Sequence, residues 1–489
     1  MTKLLRRREF LTIPEAHQKS EVEESSRAVG QQDVARSTDS YHLGKLKVWV
    51  TDERRRLESA ADIEWTTRLV TRERDSIVLL PAKKFQEILG FGATFTDASC
   101  YLFNQLATPV RSRLFHTLFH PSEMGLNVCR TSMGSSDCST STYSYNDGEL
   151  DPDLSRFSIE HDRAYILPML REARGINPDL FLISSPWSPP GWMKSNGSLL
   201  GGCMRHTYMP SYANYFLKFL RSYEQEGVPV QAVTLQNEVD TDRDGSAPAC
   251  AWPQDYEADF LTMHLGPLLQ RSGLKTRIWI IDHNYNLWGR AIGELETPDV
   301  RKYTNAIAWH GYAGEPELIN RVQSAFPDVE MYWTEGGPDH NSPEYLLEWA
   351  RWGQTFISLF RNCCRSITAR TFVTDELGRP YQAKDANGVG GVMMVDSQTK
   401  NVSYSGMFWA LAHFSRLVRR GARRIESQGM GDNLFHCVFE NPGGSLTVVI
   451  SNRGPARTCE IELDERMARV PLPANSLVTL TASRSTMLN

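Results

Sequence analysis

The sequence predicts an α/β fold, a (β/α)8 TIM barrel with an attached β-sandwich side domain built from the N-terminal strands and the C-terminal region. Three observations predict it. Over residues 85–419, short apolar runs that end in polar or Gly-rich residues alternate with amphipathic stretches of helical period. Eight such runs can be counted, the number a closed parallel barrel needs. After about residue 420 the helical period vanishes, and short alternating runs separated by Gly, Pro and Asn take over.

Taken in order, residues 1–42 are polar, charged and without periodicity, and read as a disordered extension. Strand alternation begins at Leu46–Thr51 and returns near Ile77–Leu80. The eight barrel candidates are Ile88–Phe95, Gly125–Ser132, Leu180–Ser185, Gln231–Gln236, Thr276–Ile281, Ala306–His310, Val329–Thr334 and Ser366–Thr374. Helical stretches between them include Ile159–Arg174, Tyr212–Glu226, Tyr256–Arg271 and Tyr345–Cys363. The tail contributes Leu434–Glu440, Ser445–Ser451, Cys459–Leu463 and Ser476–Thr481. The expected division is therefore a barrel at 85–419 and a sandwich made from 45–84 plus 420–485. A doubly wound open sheet is the structural alternative. Such a sheet usually carries a Gly-rich phosphate turn after its first strand, and Gly90-Phe91-Gly92-Ala93 does not complete one.

Bulk composition narrows the function. Of 489 residues, 41% are hydrophobic and 23% charged, ordinary values for a globular chain. A formal net charge of −5 argues against a nucleic-acid partner, which would call for a basic surface. No apolar run reaches the roughly 18 residues of a membrane-spanning helix. The nine cysteines are irregularly spaced and form no CxxC pair, so neither a zinc knuckle nor a disulfide framework is implied. The segment Arg6-Arg7-Arg8-Glu9-Phe10-Leu11 resembles a twin-arginine export motif, but acidic and polar residues follow where an apolar segment belongs. Export through it stays open, with the balance toward a cytoplasmic protein. The 12 Trp suit a sugar-binding cleft as well as a large core.

Barrels of this kind carry their chemistry at the C-terminal ends of the strands. Two runs end on a glutamate. Ala232-Val233-Thr234-Leu235-Gln236 leads into Asn237-Glu238, and Glu330-Met331-Tyr332-Trp333-Thr334 leads into Glu335-Gly336-Gly337. By count these are the fourth and seventh strands, so the two carboxylates can face each other across the mouth. Glycoside hydrolysis needs such a pair, one to protonate the leaving oxygen and one to attack the anomeric carbon or activate water. The carboxylates lack clustered His partners along the chain, so no metal and no cofactor are expected.

The order of five segments resembles family 30 of the glycoside hydrolases, the glucosylceramidase family, over residues 45–485. They are Gln86 to Asp97, Arg130 to Ser139, Ser185-Pro186-Trp187-Ser188-Pro189-Pro190-Gly191-Trp192-Met193-Lys194, Leu235 to Glu238 and Trp333 to Gly336. The resemblance implies a retaining enzyme with Glu238 as acid/base and Glu335 as nucleophile, acting on β-linked glucose in a carbohydrate or glycolipid. It implies that Asn237 binds the sugar 2-hydroxyl, that Asp137 and Trp187 hold the glucose hydroxyls and face, and that His310 and Tyr312 line the same site. Asp137 as a loop cap, Trp187 as core and His310 as a satisfied core histidine are the structural alternatives. Asp97 is read as structural. The match breaks at the eighth strand, where Arg370 and Thr371 stand in place of a Trp-Asn pair, and at Val239 in place of Pro. The expectation is a glucosylceramidase-like exo-β-glucosidase. An endo-β-1,6-glucanase of the same family and a carbohydrate-binding protein with an impaired site are the alternatives. Aglycone and oligomeric state are open.

Overall fold

The computed structural model describes residues 44–67, 75–382 and 388–483. The N-terminal extension and its arginine motif lie outside the described residues. Eight parallel strands close into a barrel in chain order: Gly90–Phe95, Val128–Ser132, Phe181–Ser185, Ala232–Thr234, Arg277–Asn284, Ala306–His310, Glu330–Glu335 and Cys364–Ala369.

One expected run needs correction. Ser366–Thr374 is not a single strand: the eighth barrel strand ends at Ala369, and Val373–Thr374 joins a separate three-stranded sheet. Periodicity could not separate them because both pieces are buried and the Arg370-Thr371-Phe372 link carries no Gly or Pro to mark a break. The expected helix at Ile159–Arg174 is likewise two pieces, Glu160–Arg163 and Ile166–Ile176.

Strand period decides what fills the barrel. Val128, Ile183, Ala232, Trp279, Ala308 and Tyr332 form an apolar cluster of their own, with Trp279 stacked on Tyr332 at 4.0 Å. Two residues further along five of these strands, the same face carries Arg130, Ser185, Thr234, His310 and Thr334. A closed apolar layer thus supports a polar layer, and the polar layer is the floor of the cleft.

The side domain is a ten-stranded sheet that mixes the two ends of the chain. Leu46–Thr51 pairs antiparallel with Ser476–Ala482, and Ser76–Glu87 pairs antiparallel with Arg423–Met430. The second of these N-terminal strands runs past residue 84 to Glu87. Two helices join sheet to barrel. Trp349–Arg361 buries Trp349, Ala350, Gly353, Phe356, Ile357 and Phe360 on one stripe, and Gly406–Ser415 is N-capped by the Ser405 side chain. Phe360 and Phe414 meet Phe439 of the sheet at 5.3 and 6.2 Å between ring centroids. Such aromatic pairs add about 0.5–1.5 kcal/mol each beyond area burial. Among the described residues no helix is long and apolar enough to cross a membrane.

Candidate active site

The candidate carboxylates lie at the expected strand ends. Glu335 is the last residue of the seventh strand, and Glu238 follows the fourth; both are buried. Glu238 has φ +53°, a left-handed conformation that a non-glycine residue adopts at a cost of about 1–3 kcal/mol. Its N–H donates to the Asp282 carbonyl at 3.0 Å, which helps hold that conformation.

Arg130 organises the floor from the second strand. Its guanidinium donates to Glu335 Oε2 at 2.5 Å, Asp282 Oδ2 at 2.6 Å, Asn237 Oδ1 at 2.7 Å and Ser185 Oγ at 2.9 Å. A fully buried guanidinium is tolerable because carboxylates on both sides compensate it. Trp187 is 5% exposed and lies with one ring face 4.6 Å from the Arg130 guanidinium carbon. Because Arg130 occupies Asn237 Oδ1, the Asn237 amide group is left to donate elsewhere.

Asp282 is the second organiser, from the fifth strand. Positive φ at Ile281 (74°) and Asp282 (44°) breaks the strand alternation and turns this carboxylate inward. It accepts from Thr234 Oγ1 and Thr334 Oγ1, each at 2.7 Å, and pairs with His310 Nε2 at 2.9 Å. Burial alone would raise its pKa; the Arg130 and His310 charges outweigh that and hold it well below the carboxylate range.

His310 stands between the two candidate glutamates, 3.6 Å from Glu238 Oε1 through Nδ1 and 3.9 Å from Glu335 Oε2 through Nε2. Burial pushes its pKa down, yet the Glu335 charge and the Asp282 bond prevail and raise it to about 9. His310 is fully buried and bonded to Asp282, as a satisfied core histidine would be, and it also lies beside both glutamates. Tyr312 donates its hydroxyl to Glu335 Oε1 at 3.0 Å while its ring rim is exposed.

Sequence reasoning assigned no role to the loop residue Arg243. It pairs with Glu238 Oε2 from a 3-10 turn in which Arg243 and Asp244 both have positive φ. Burial raises the Glu238 pKa, but His310 and Arg243 more than cancel this and keep the carboxyl well below its usual range. His283 flanks the same group, with Nδ1 3.9 Å from Glu238 Oε1 and Nε2 on Asp240 Oδ1 at 2.7 Å.

The opposite wall holds Asp137. Its Oδ1 accepts from the Cys138 N–H at 3.0 Å, which is a local capping bond. Its Oδ2 accepts from Arg370 at 2.5 Å and faces Tyr381 at 3.4 Å. Arg370 Nε lies 3.7 Å from Glu335 Oε1, so this guanidinium links the Asp137 wall to the floor. Thr371 turns away from the cleft. Its hydroxyl bonds Ser99 Oγ at 2.7 Å and Thr96 Oγ1 at 2.9 Å in a buried cluster. Asp97 belongs to a separate structural group with His161, Tyr165 and the Thr140 N–H.

The structure thus gathers Glu238, Glu335, Asp137, Trp187, Asn237, His310 and Tyr312 into one connected cluster. Arg370, which the sequence placed at the same subsite, joins them, and the structure adds Arg130, Asp282, His283, Arg243 and Tyr381. Asp282 and His283 directly follow an apolar run, the same cue that picks out Glu238 and Glu335. Arg130 is a charge inside a strand, also a visible cue. Arg243 had no cue, being one of several charges in a polar loop. The expectation that the carboxylates lack His partners does not hold, since His283 and His310 come from the fifth and sixth strands.

Comparison with known proteins bears on both domains. Residues 88–418 match the Glycosyl hydrolase family 30 TIM-barrel domain, and residues 421–480 match the Glycosyl hydrolase family 30 beta sandwich domain. An endo-1,6-beta-D-glucanase of Neurospora crassa is 31% identical over 398 residues, spanning 76% of this chain and 80% of that protein. The lysosomal acid glucosylceramidase of Mus musculus is 28% identical over 400 residues, 77% of each chain. Among solved structures, SrfJ from Salmonella typhimurium superposes with a TM-score of 0.86 at 25% identity, covering 90% of this chain and all of that one. An endo-beta1,6-glucanase structure gives 0.82 at 25% identity with the same coverage.

Proposed function

The chain belongs to glycosyl hydrolase family 30, and from that premise we propose that it is an endo-acting β-1,6-glucanase working with retention of configuration. The observation that carries the substrate is the 31% identity, over four-fifths of its length, to an endo-1,6-β-D-glucanase. This reading takes the place of the exo-β-glucosidase that the family resemblance favoured. The exo reading stays as the second one, on the 28% identity to a glucosylceramidase.

Glu335 is the proposed nucleophile. Arg130 and Tyr312 donate to its two oxygens, which orients the carboxylate and spreads its charge until it attacks the anomeric carbon. Asn237, its carbonyl occupied by Arg130, donates its amide to the sugar 2-hydroxyl, a contact that strengthens as the oxocarbenium-like transition state forms. Trp187 offers a flat face for the glucose ring. Asp137 and Arg370 offer an acceptor and a donor to its hydroxyls.

Glu238 is the proposed acid/base. An acid must carry a proton, and Arg243 together with His310 favours the ionised form in the free enzyme. On this reading the incoming leaving-group sugar displaces Arg243 from Oε2. Arg243 is the group able to move, because it is partly exposed and sits in a surface loop whereas His310 is fully buried.

The test is digestion of a linear β-1,6-glucan, with early products sized by chromatography and the anomer of the first product read by NMR. Oligosaccharides that appear as β-anomers are expected. Glucose as the sole early product would favour the exo reading, an α-anomer would sink retention, and no hydrolysis of any β-glucoside would leave a binding protein.

A further inference from the structure

Two imidazoles near Glu238 have the same construction. His283 Nε2 meets Asp240 Oδ1 at 2.7 Å, and His310 Nε2 meets Asp282 Oδ1 at 2.9 Å. Each carboxylate holds the ring nitrogen on its side, so each Nδ1 is the ring atom turned toward Glu238. Neither Nδ1 has a hydrogen-bond partner although His310 is fully buried and His283 is 7% exposed. Both point toward Glu238 Oε1, at 3.6 and 3.9 Å, distances too long for a hydrogen bond. The other oxygen of Glu238 is occupied by Arg243, so Oε1 is the one that remains.

We infer that Glu238 Oε1, His283 Nδ1 and His310 Nδ1 form a binding site for a divalent transition-metal ion of the zinc class. These three atoms lie within 4.8 Å of one another. A four-coordinate zinc with bonds of about 2.1 Å holds its ligand atoms about 3.4 Å apart. The two distances to Glu238 need to close by a few tenths of an ångström, and the two rings by more, through small side-chain rotations. Two imidazoles, His310 releasing its Nδ1 proton to solvent as the metal binds, and one carboxylate are a donor set that zinc, copper and cobalt accept and that magnesium does not. Carboxylate partners behind both histidines orient the rings. Sequence could not reveal the site, because its ligands come from three different barrel strands.

The consequence for catalysis rests on Glu238 being the acid/base: a metal on Oε1 would remove that carboxylate from proton transfer, and bound zinc would inhibit hydrolysis. The metal site itself does not depend on that role. The experiment is calorimetric titration of the metal-free full chain with zinc chloride, beside the variants His283→Phe and Glu238→Gln, with thermal melts to verify folding. His116 and His120, whose rings stack at 4.4 Å on a helix surface, supply the control His116→Ala. The site is expected to bind one zinc ion, at least tenfold more weakly in His283→Phe and Glu238→Gln and unchanged in His116→Ala. Cobalt in place of zinc should give a visible absorption band that is lost in His283→Phe. Affinity that survives both site variants, or that disappears with His116→Ala, overturns the proposal, as does no binding at all. Zinc that binds with the expected variant dependence yet leaves glucan hydrolysis untouched supports the site and counts against Glu238 as acid/base, which separates the two claims.

Discussion

At the residue scale, the two proposed carboxylates have different surroundings, and mutation should separate them. Glu335 accepts from Arg130 and Tyr312. Glu335→Gln is expected to fold normally and turn over no β-glucan. Near-normal turnover, measured as reducing ends released, would remove it from the mechanism. Glu238→Ala should lower kcat/KM on glucan by about 10²–10⁴-fold, the usual worth of a general acid, while sparing a dinitrophenyl glycoside whose leaving group needs no proton. Equal losses on both substrates would contradict an acid role. Arg370 differs from Thr371, which serves the buried hydroxyl cluster with Thr96 and Ser99. The informative single change is therefore Arg370→Trp. Losing its charge-assisted bond to Asp137 should cost roughly tenfold in kcat/KM on glucan. A gain would mean that the guanidinium obstructs the sugar.

At the element scale, the site depends on strands set at close and irregular spacing. Gly92 in the first strand lies against the second, where a Cβ would sit 1.9 Å from the Val128 carbonyl oxygen. Backbone cannot yield as a side-chain tip can. Gly92→Ala is expected to destabilise the fold by about 1–3 kcal/mol in urea titration and to lower activity, because the displaced strand carries Arg130. A wild-type midpoint would show that the barrel accommodates the methyl group. The kink at Ile281 and Asp282 has the opposite use: it breaks strand geometry so that a carboxylate reaches the floor.

At the scale of the whole molecule, barrel and sheet share a buried polar contact. His413 of the helix Gly406–Ser415 bonds Thr51 at 2.8 Å and Thr479 at 2.7 Å, one from each end of the chain. Burial lowers its pKa from the usual value of 6.5 to about 3. A histidine with a depressed folded pKa is protonated more readily when unfolded, so its contribution is complete above pH 6.5 and declines as pH falls toward 3. Stability measured by urea titration should fall across that window by an amount on the order of a few kcal/mol. His413→Gln, which keeps hydrogen-bonding groups without a titrating ring, should flatten this part of the pH dependence. An unchanged pH dependence in the variant would assign the loss to other groups.

The chain's order was legible because strand and helix periods are local properties: eight apolar runs, the tail of short strands, and glutamates directly after the fourth and seventh runs. The same local view joined Ala369 to Val373 in one strand, since both pieces are buried and no Gly or Pro between them marks an end. Glu238, Glu335 and the residues named by family resemblance could be listed from sequence, whereas the groups that set their charge could not. Arg243 is one polar loop residue among many until the chain turns back onto Glu238, and His283 is a neighbour of His310 only after the barrel closes. Strand period and residue order are written along the chain. Which charges meet depends on distances between segments far apart in sequence, and only the tertiary structure decided that Arg130 would bind Asn237, Asp282 and Glu335 at once.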